Sequence, residues 1–90
     1  MRVTVIFGPE YDGTLRTTVM DVMEQLGASV ESRNGSVAGS QEIETVQARS
    51  ADQEIIIEAE TYIGLSITGD EATVNEISER VRQATQTIPT

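Results

Sequence analysis

The sequence predicts an α+β fold: a two-layer, open-faced sandwich with two helices on one face of a mostly antiparallel sheet of 4–5 strands. Alternation of apolar and polar residues recurs along the chain, as in strands, and two segments near its ends carry apolar residues at helical spacing. Glycine and asparagine separate these segments. The predicted order is β-α-β-β-(β)-β-α, in which each one-sided element buries its apolar face against the other layer.

The first strand is predicted over residues 2–7, RVTVIF, and Ile6 lies on its outward face. Its inward residues are Val3, Val5 and Phe7. A helix then runs from about Thr14 to Gly27, with Asp12 or Thr14 as its N-cap. The apolar stripe of this helix consists of Leu15, Val19, Val22 and Leu26.

The Asn-Gly dipeptide at 34–35 predicts a two-residue hairpin turn, because a type I′ turn needs positive φ at both positions. Such a turn pairs Ser32 with Val37. It also brings Val30 opposite Gly39, so that the two valines share one face.

Residues 40–52 fit two structures. Glu44, Val46 and Ala48 alternate as in a strand, whereas Ile43 and Val46 are three apart as in a helical turn. We expect the strand.

Two further strands, QEIIIEAE and YIGLSIT, are predicted to be joined by a three-residue loop, 60–62. This loop keeps one face apolar by three pairings: Ala59 with Ile63, Ile57 with Leu65 and Ile55 with Ile67.

The last helix follows a capping-box spacing between Thr68 and Glu71, and a Glu76–Arg80 ion pair supports it. Its apolar stripe is Val74, Ile77, Val81 and Ala84. Residues 1–90 are expected to form a single domain with a frayed tail over 85–90.

The composition argues against catalysis. The 90 residues include no cysteine, histidine or lysine, so the usual general base, nucleophile activators and thiolate ligands are missing. We expect a non-enzymatic protein without metal or cofactor. The net charge of −9 disfavours nucleic acid as a partner. Acidic, lysine-free surfaces also resemble those of salt-adapted, halophilic proteins.

The sequence gives no sign of a membrane segment. Its apolar runs fall short of the roughly 18 residues that span a bilayer. We therefore expect a cytoplasmic protein with no membrane partner.

The loop before the first helix is the predicted ligand site. Gly8 and Gly13 let the backbone approach a ligand, and Arg16 lies in the first turn, where a cation is unfavourable unless an anion is near. Together with the Thr14 hydroxyl, these residues predict binding of a small anion or an amino acid. Alternatively, Arg16 pairs with Glu10 or Asp12 and the glycines serve only the turn. The G-x-x-x-x-G spacing lacks the Lys-Ser/Thr of a P-loop.

The open sheet face is the predicted interface. Ile6 and Ile56 point away from the predicted core and form an apolar patch if their strands are neighbours. We expect a homodimer or a partner protein there. The alternative is that segment 40–52 folds over both residues.

The segment VTVIFGPEYDGTLRTTVMDVMEQLGASV, residues 3–30, resembles the opening of ACT regulatory domains, whose pattern is strand, G-x-D-x-x-G-x-L, helix and L-G-A. The matching positions are Gly8, Glu10, Gly13, Leu15, Leu26, Gly27 and Ala28, with Glu10 for the usual aspartate. The resemblance implies a regulatory domain that binds an amino acid at this loop, often across a dimer.

Two weaker resemblances imply the same architecture. GASVESRNGSVAGSQEI and DQEIIIEAE are similar to strands of the histidine-containing phosphocarrier, but Arg16 stands where the active histidine would be, which excludes phosphotransfer there. LSITGDEATVNEISERV is similar to the end of K-homology RNA-binding domains, although their G-x-x-G loop is missing.

Overall fold

A computed structural model describes residues 1–9 and 12–85, apart from the side chain of Ala38. The elements are β1 (Arg2–Gly8), α1 (Gly13–Gln25), β2 (Ser29–Ala38), β3 (Gln41–Ser50), β4 (Gln53–Glu60), β5 (Gly64–Asp70) and α2 (Glu71–Thr85). The order is the predicted one, with the optional strand present, and the fold is α+β.

The sheet is antiparallel throughout, with strand order β1-β5-β4-β3-β2. Short turns join β2 to β3, β3 to β4 and β4 to β5, so these four strands lie side by side in chain order. Helix α1 carries the chain from β1 at one edge to β2 at the other. As a result β1 pairs with β5, the last strand.

Both helices lie against one face of the sheet and share one core with it. The buried core residues are Val19, Val22, Met23, Val46, Ala48, Ile55, Ile57, Leu65, Ile67, Val74, Ile77 and Val81. Half-buried Val3, Val5 and Phe7 of β1 pack against this cluster, as their alternation predicts. Each large aliphatic side chain buried in this way contributes about 1.5–3 kcal/mol relative to exposure. The core therefore fixes which sheet face the helices cover.

The predicted turn at residues 34–35 is wrong. Both residues lie inside β2, where Asn34 pairs with Thr45, and the chain reverses instead at Gly39–Ser40. Gly39 supplies the positive φ, 64°, that a tight turn needs. A turn five residues later gives β2 and β3 ten residues each, which adds ladder hydrogen bonds that the earlier turn would lose.

The pairings that followed from that turn, Ser32 with Val37 and Val30 with Gly39, are also wrong, although the two valines do share one face. Val30 lies opposite Ala48, Ser32 opposite Gln47 and Val37 opposite Glu42, with a bulge between Val30 and Ser32.

The strand expected within residues 40–52 is confirmed as β3, and the helical-turn alternative is wrong. Val46 and Ala48 are buried in the core, 5% and 0% exposed, because β3 is an interior strand with β2 and β4 on its two sides.

The β4–β5 loop has the predicted three residues but comprises residues 61–63 rather than 60–62. Ala59 therefore pairs with Leu65 and Ile57 with Ile67, a shift that keeps the predicted face buried. Ile63 leaves the sheet and is 53% exposed. The reason lies in Gly64, whose φ of 121° and closeness to the β1 backbone suit only glycine at the first position of β5.

Helix α1 is capped as expected. The Leu15 amide donates to Oδ1 of Asp12 at 3.0 Å, and Gly27 follows the helix with a φ of 79°.

The predicted capping box of α2 is wrong. Thr68 belongs to β5, where its hydroxyl oxygen lies 2.8 Å from that of Thr4, and Asp70 takes its place by accepting a bond from the Ala72 amide at 3.2 Å. The Glu76–Arg80 pair is present at 3.4 Å.

Of the predicted apolar stripe of α2, only Ala84 is exposed rather than buried. Residues 86–90 of the predicted frayed tail lie outside the described residues, and Thr85 ends α2. No helix in the described part of the chain is both long and apolar enough to cross a membrane.

Candidate functional site

The start of α1 is occupied by the chain's own carboxylate. Asp12 accepts from the Leu15 amide through its side chain and from the Arg16 amide through its backbone carbonyl. Gly13 and Thr14 are exposed beside it. The carboxylate of Asp12 therefore already occupies this helix end, and any other anion must compete with it.

Gly8 has a packing role. A Cβ at this position would lie 3.0 Å from Cδ2 of Leu15, so the missing side chain leaves room for Leu15 to pack against the core. The predicted ligand-binding residues Gly8 and Gly13 flank the loop, and a Cβ at Gly13 would meet nothing within 4 Å.

Arg16 reaches the sheet. Its guanidinium forms an ion pair with Glu44 of β3, not with Asp12, and Glu10 lies outside the described residues. Both side chains are partly exposed, 39% for Arg16 and 47% for Glu44. An exposed pair of this kind contributes about 0.2–1 kcal/mol, so breaking it costs little.

A groove runs between α1 and the β2–β3 hairpin, and we call it the α1–β2 groove. Its centre is a cavity of about 40 Å³. The cavity is lined by Arg16, Met20, Arg33, Glu44, Val46, Ile57, Ala59 and Leu65. It adjoins a depression of about 390 Å³ toward Val37 and Thr61, and another of about 300 Å³ toward Val30.

The groove exists because two helices do not cover five strands. Helix α2 lies against β1 and β5, and α1 lies beside α2 on the side toward β2. The inward face of β2 therefore extends past the helix layer. Its valines show this, since Val30 is 44% exposed and Val37 is 69% exposed.

Two of the chain's six arginines line this one cavity, although the chain carries a net charge of −9. Arg33 pairs in register with buried Val46, so its side chain lies on the helix side of the sheet. Arg16 is matched by Glu44, whereas Arg33 forms no ion pair with any described acidic residue. The groove thus combines an unmatched cation with an apolar floor, which suits binding of an anion with an apolar part.

The two predicted interface residues lie on the open sheet face but are not neighbours. Ile6 pairs with Ser66 and Ile56 with Thr68, so strand β5 separates them. Ile6 is 58% exposed, and Ile56 is half-buried. Segment 40–52 does not fold over them, because it forms β3 within the same sheet.

Sequence reasoning found Arg16 but missed Arg33, Glu44 and Met20 as its neighbours. Arg33 faces inward only because of the bulge between Val30 and Ser32, and a bulge leaves no reliable signal in a single sequence. The misplaced turn at 34–35 hid the contact further. Comparison with protein-family models, curated proteins and solved structures finds no match to this chain.

Proposed function

We propose that this protein is a small non-enzymatic ligand-sensing domain that binds a small anion or an amino acid at a site whose cations are Arg16 and Arg33. The observation that carries the proposal is that Arg16 and Arg33 both line one cavity whose floor is apolar. Arg16 belongs both to the loop site expected from the sequence and to the α1–β2 groove.

Electrostatics supports an anion at this place, because two arginines lie together here. The remaining arginines on α2 and β3 lie on the surface and pair with Glu76, Glu79 and Glu31. An anion approaching a chain of net charge −9 is repelled by most of the surface. The cavity is an exception to this repulsion, because two arginines line it.

The resemblance of residues 3–30 to ACT domains extends the proposal to a regulatory role in the cytoplasm. A two-layer sandwich with ligands bound beside its first helix would report ligand binding to an attached or associated protein. The β2–β3 hairpin is the element best suited to transmit it, because Glu44 connects it to Arg16 of α1.

Calorimetric or NMR titration with acetate, inorganic phosphate and a panel of amino acids tests the proposal. We expect at least one of these to bind, and Arg16→Ala to weaken its binding by up to about tenfold, because Glu44 then loses its counter-charge and repels the anion. Arg80→Ala is the control, since it removes the same charge from the exposed face of α2. Absence of binding by every compound contradicts the proposal.

Self-association through the open sheet face is a second candidate, favoured by the 58% exposure of Ile6. Sedimentation over a range of concentrations tests it. A homodimer should dissociate on Ile6→Glu and Ile56→Glu, whereas a monomer at every concentration contradicts this function.

A further inference from the structure

We infer that the ligand of the α1–β2 groove is a monocarboxylate with a compact apolar body, its carboxylate at Arg33 and its body in the central cavity. The inference rests on the proposed anion-binding function and narrows it to one chemical class. Three properties of the cavity lead to it: its floor, its size and its charge.

The floor of the cavity is apolar. Val46, Ile57 and Leu65 line it and are 5%, 5% and 1% exposed, and Ala59 and Met20 lie beside them. A purely polar ion would lose its bound water over this floor without gaining hydrogen-bond partners there. A ligand that fills the cavity therefore needs an apolar part.

The size of the cavity limits that part. The space between α1 and the sheet is about 40 Å³ and partly open to solvent. Since even one water needs roughly 10–15 Å³ of cavity, this space accommodates only a few small groups. A branched or straight body of three or four carbons matches it, and an aromatic ring does not.

The net charge of the cavity lining favours a ligand with a single negative charge. Arg16 is already matched by Glu44, which leaves Arg33 as the unbalanced group. A single carboxylate neutralises Arg33. A phosphate dianion would add a second negative charge beside Glu44, and Glu42 lies in the adjoining depression.

An amino acid fits less well than the corresponding simple acid. Its ammonium is attached to the carbon next to the carboxylate and would therefore lie close to Arg33. Glu44 is the one acidic residue in the lining of this cavity, and the ammonium could reach it there only by competing with Arg16. The geometry thus separates two ligands that differ by one ammonium group.

The test uses four probes in NMR titrations of the full chain: 3-methylbutanoate, acetate, valine and inorganic phosphate. Valine is 3-methylbutanoate with an α-ammonium, and acetate is the acid without the apolar body. We expect 3-methylbutanoate to bind at least about tenfold more tightly than acetate, because its extra carbons are buried. Valine and phosphate should bind more weakly than 3-methylbutanoate.

Two variants localise the site. Arg33→Gln should weaken 3-methylbutanoate binding by about tenfold or more, and Arg80→Gln, with the same change in net charge, should not. Ala59→Val adds two methyl groups to the cavity wall and should weaken 3-methylbutanoate while leaving acetate unchanged.

The outcomes separate this inference from the broader proposal. Equal or tighter binding of valine or phosphate overturns the monocarboxylate but leaves an anion-binding domain. Equal binding of acetate and 3-methylbutanoate overturns the role of the cavity. Unchanged binding in Arg33→Gln overturns the assignment of the carboxylate to Arg33. Failure of all four probes overturns the inference, whereas the broader proposal falls only if the full panel of amino acids also fails to bind.

Discussion

Gly64 is constrained both by its own backbone conformation and by strand β1. It begins β5 with a φ of 121°, and a Cβ there would lie 2.6 Å from the carbonyl oxygen of Gly8. The same Cβ would approach Cγ2 of Ile6 at 3.2 Å. The close approach of β5 to the end of β1 thus depends on a missing side chain.

Gly64→Ala should destabilise the protein by about 2–3 kcal/mol, since backbone strain and a backbone clash act together. The measurement is the free energy of unfolding by urea. Gly35→Ala is the matched control: its Cβ would meet nothing closer than the Ile43 oxygen at 3.9 Å. We expect it to change stability by no more than about 0.5 kcal/mol. Equal losses at both positions would contradict the steric explanation.

Asp12 also acts at the residue scale, as the N-cap of α1. Asp12→Ala should cost about 1 kcal/mol, because the Leu15 amide loses its acceptor. Asp21→Ala, in the exposed middle of the same helix, removes the same charge and should have little effect on the denaturation midpoint. If Asp12→Ala does not change the free energy of unfolding, water replaces the Asp12 carboxylate as acceptor at no cost, and the capping explanation is wrong.

At the scale of elements, β2 differs from the other edge strand, β1, because β1 packs against α2 whereas β2 extends past the helices. Its neighbour β3 is tied to the rest of the sheet, with the Thr61 amide donating to the Glu42 carbonyl at 2.9 Å. The outer part of β2 has no comparable support from α1. Its exposed Val37 illustrates this.

The amides of β2 from Asn34 to Val37 should exchange with solvent faster than those of β4 and β5, since they open without disrupting the core. Hydrogen exchange followed by NMR or mass spectrometry measures the difference. Binding of an anion in the α1–β2 groove should slow this exchange, because the ligand bridges β2 to the core. Protection of β2 equal to that of β4 in the free protein would contradict the expectation that the outer part of β2 opens without disrupting the core.

At the scale of the whole molecule, the main feature is the large negative net charge. Fifteen acidic residues against six arginines leave a net charge of −9, and the described ion pairs are mostly surface pairs of small individual value. Repulsion among the unmatched carboxylates therefore opposes the compact state at low ionic strength.

The melting temperature should rise with sodium chloride between low and molar concentration, because the Debye length falls from about 30 Å at 0.01 M to about 3 Å at 1 M. Asp21→Asn combined with Glu24→Gln removes two exposed like charges three residues apart on α1 and should reduce the salt dependence. A melting temperature that does not change with salt would show that repulsion is unimportant and would remove the physical basis for halophilic adaptation.

The sequence alone determined the two layers, the order of the elements and most of the core. Alternation and helical spacing are local consequences of burial, so Ile57, Val22 and Ile77 could be placed inside without coordinates. The cap at Asp12 followed from local chemistry in the same way.

Only the tertiary structure decided which glycine turns the β2–β3 hairpin, which residues begin β5 and which side chains surround Arg16. These features depend on strand register. Several local turns are nearly equivalent in energy, and the choice among them is made by long-range pairing and core packing. Arg33 and Glu44 became neighbours of Arg16 for that reason, and the α1–β2 groove is visible only once the strands are in register.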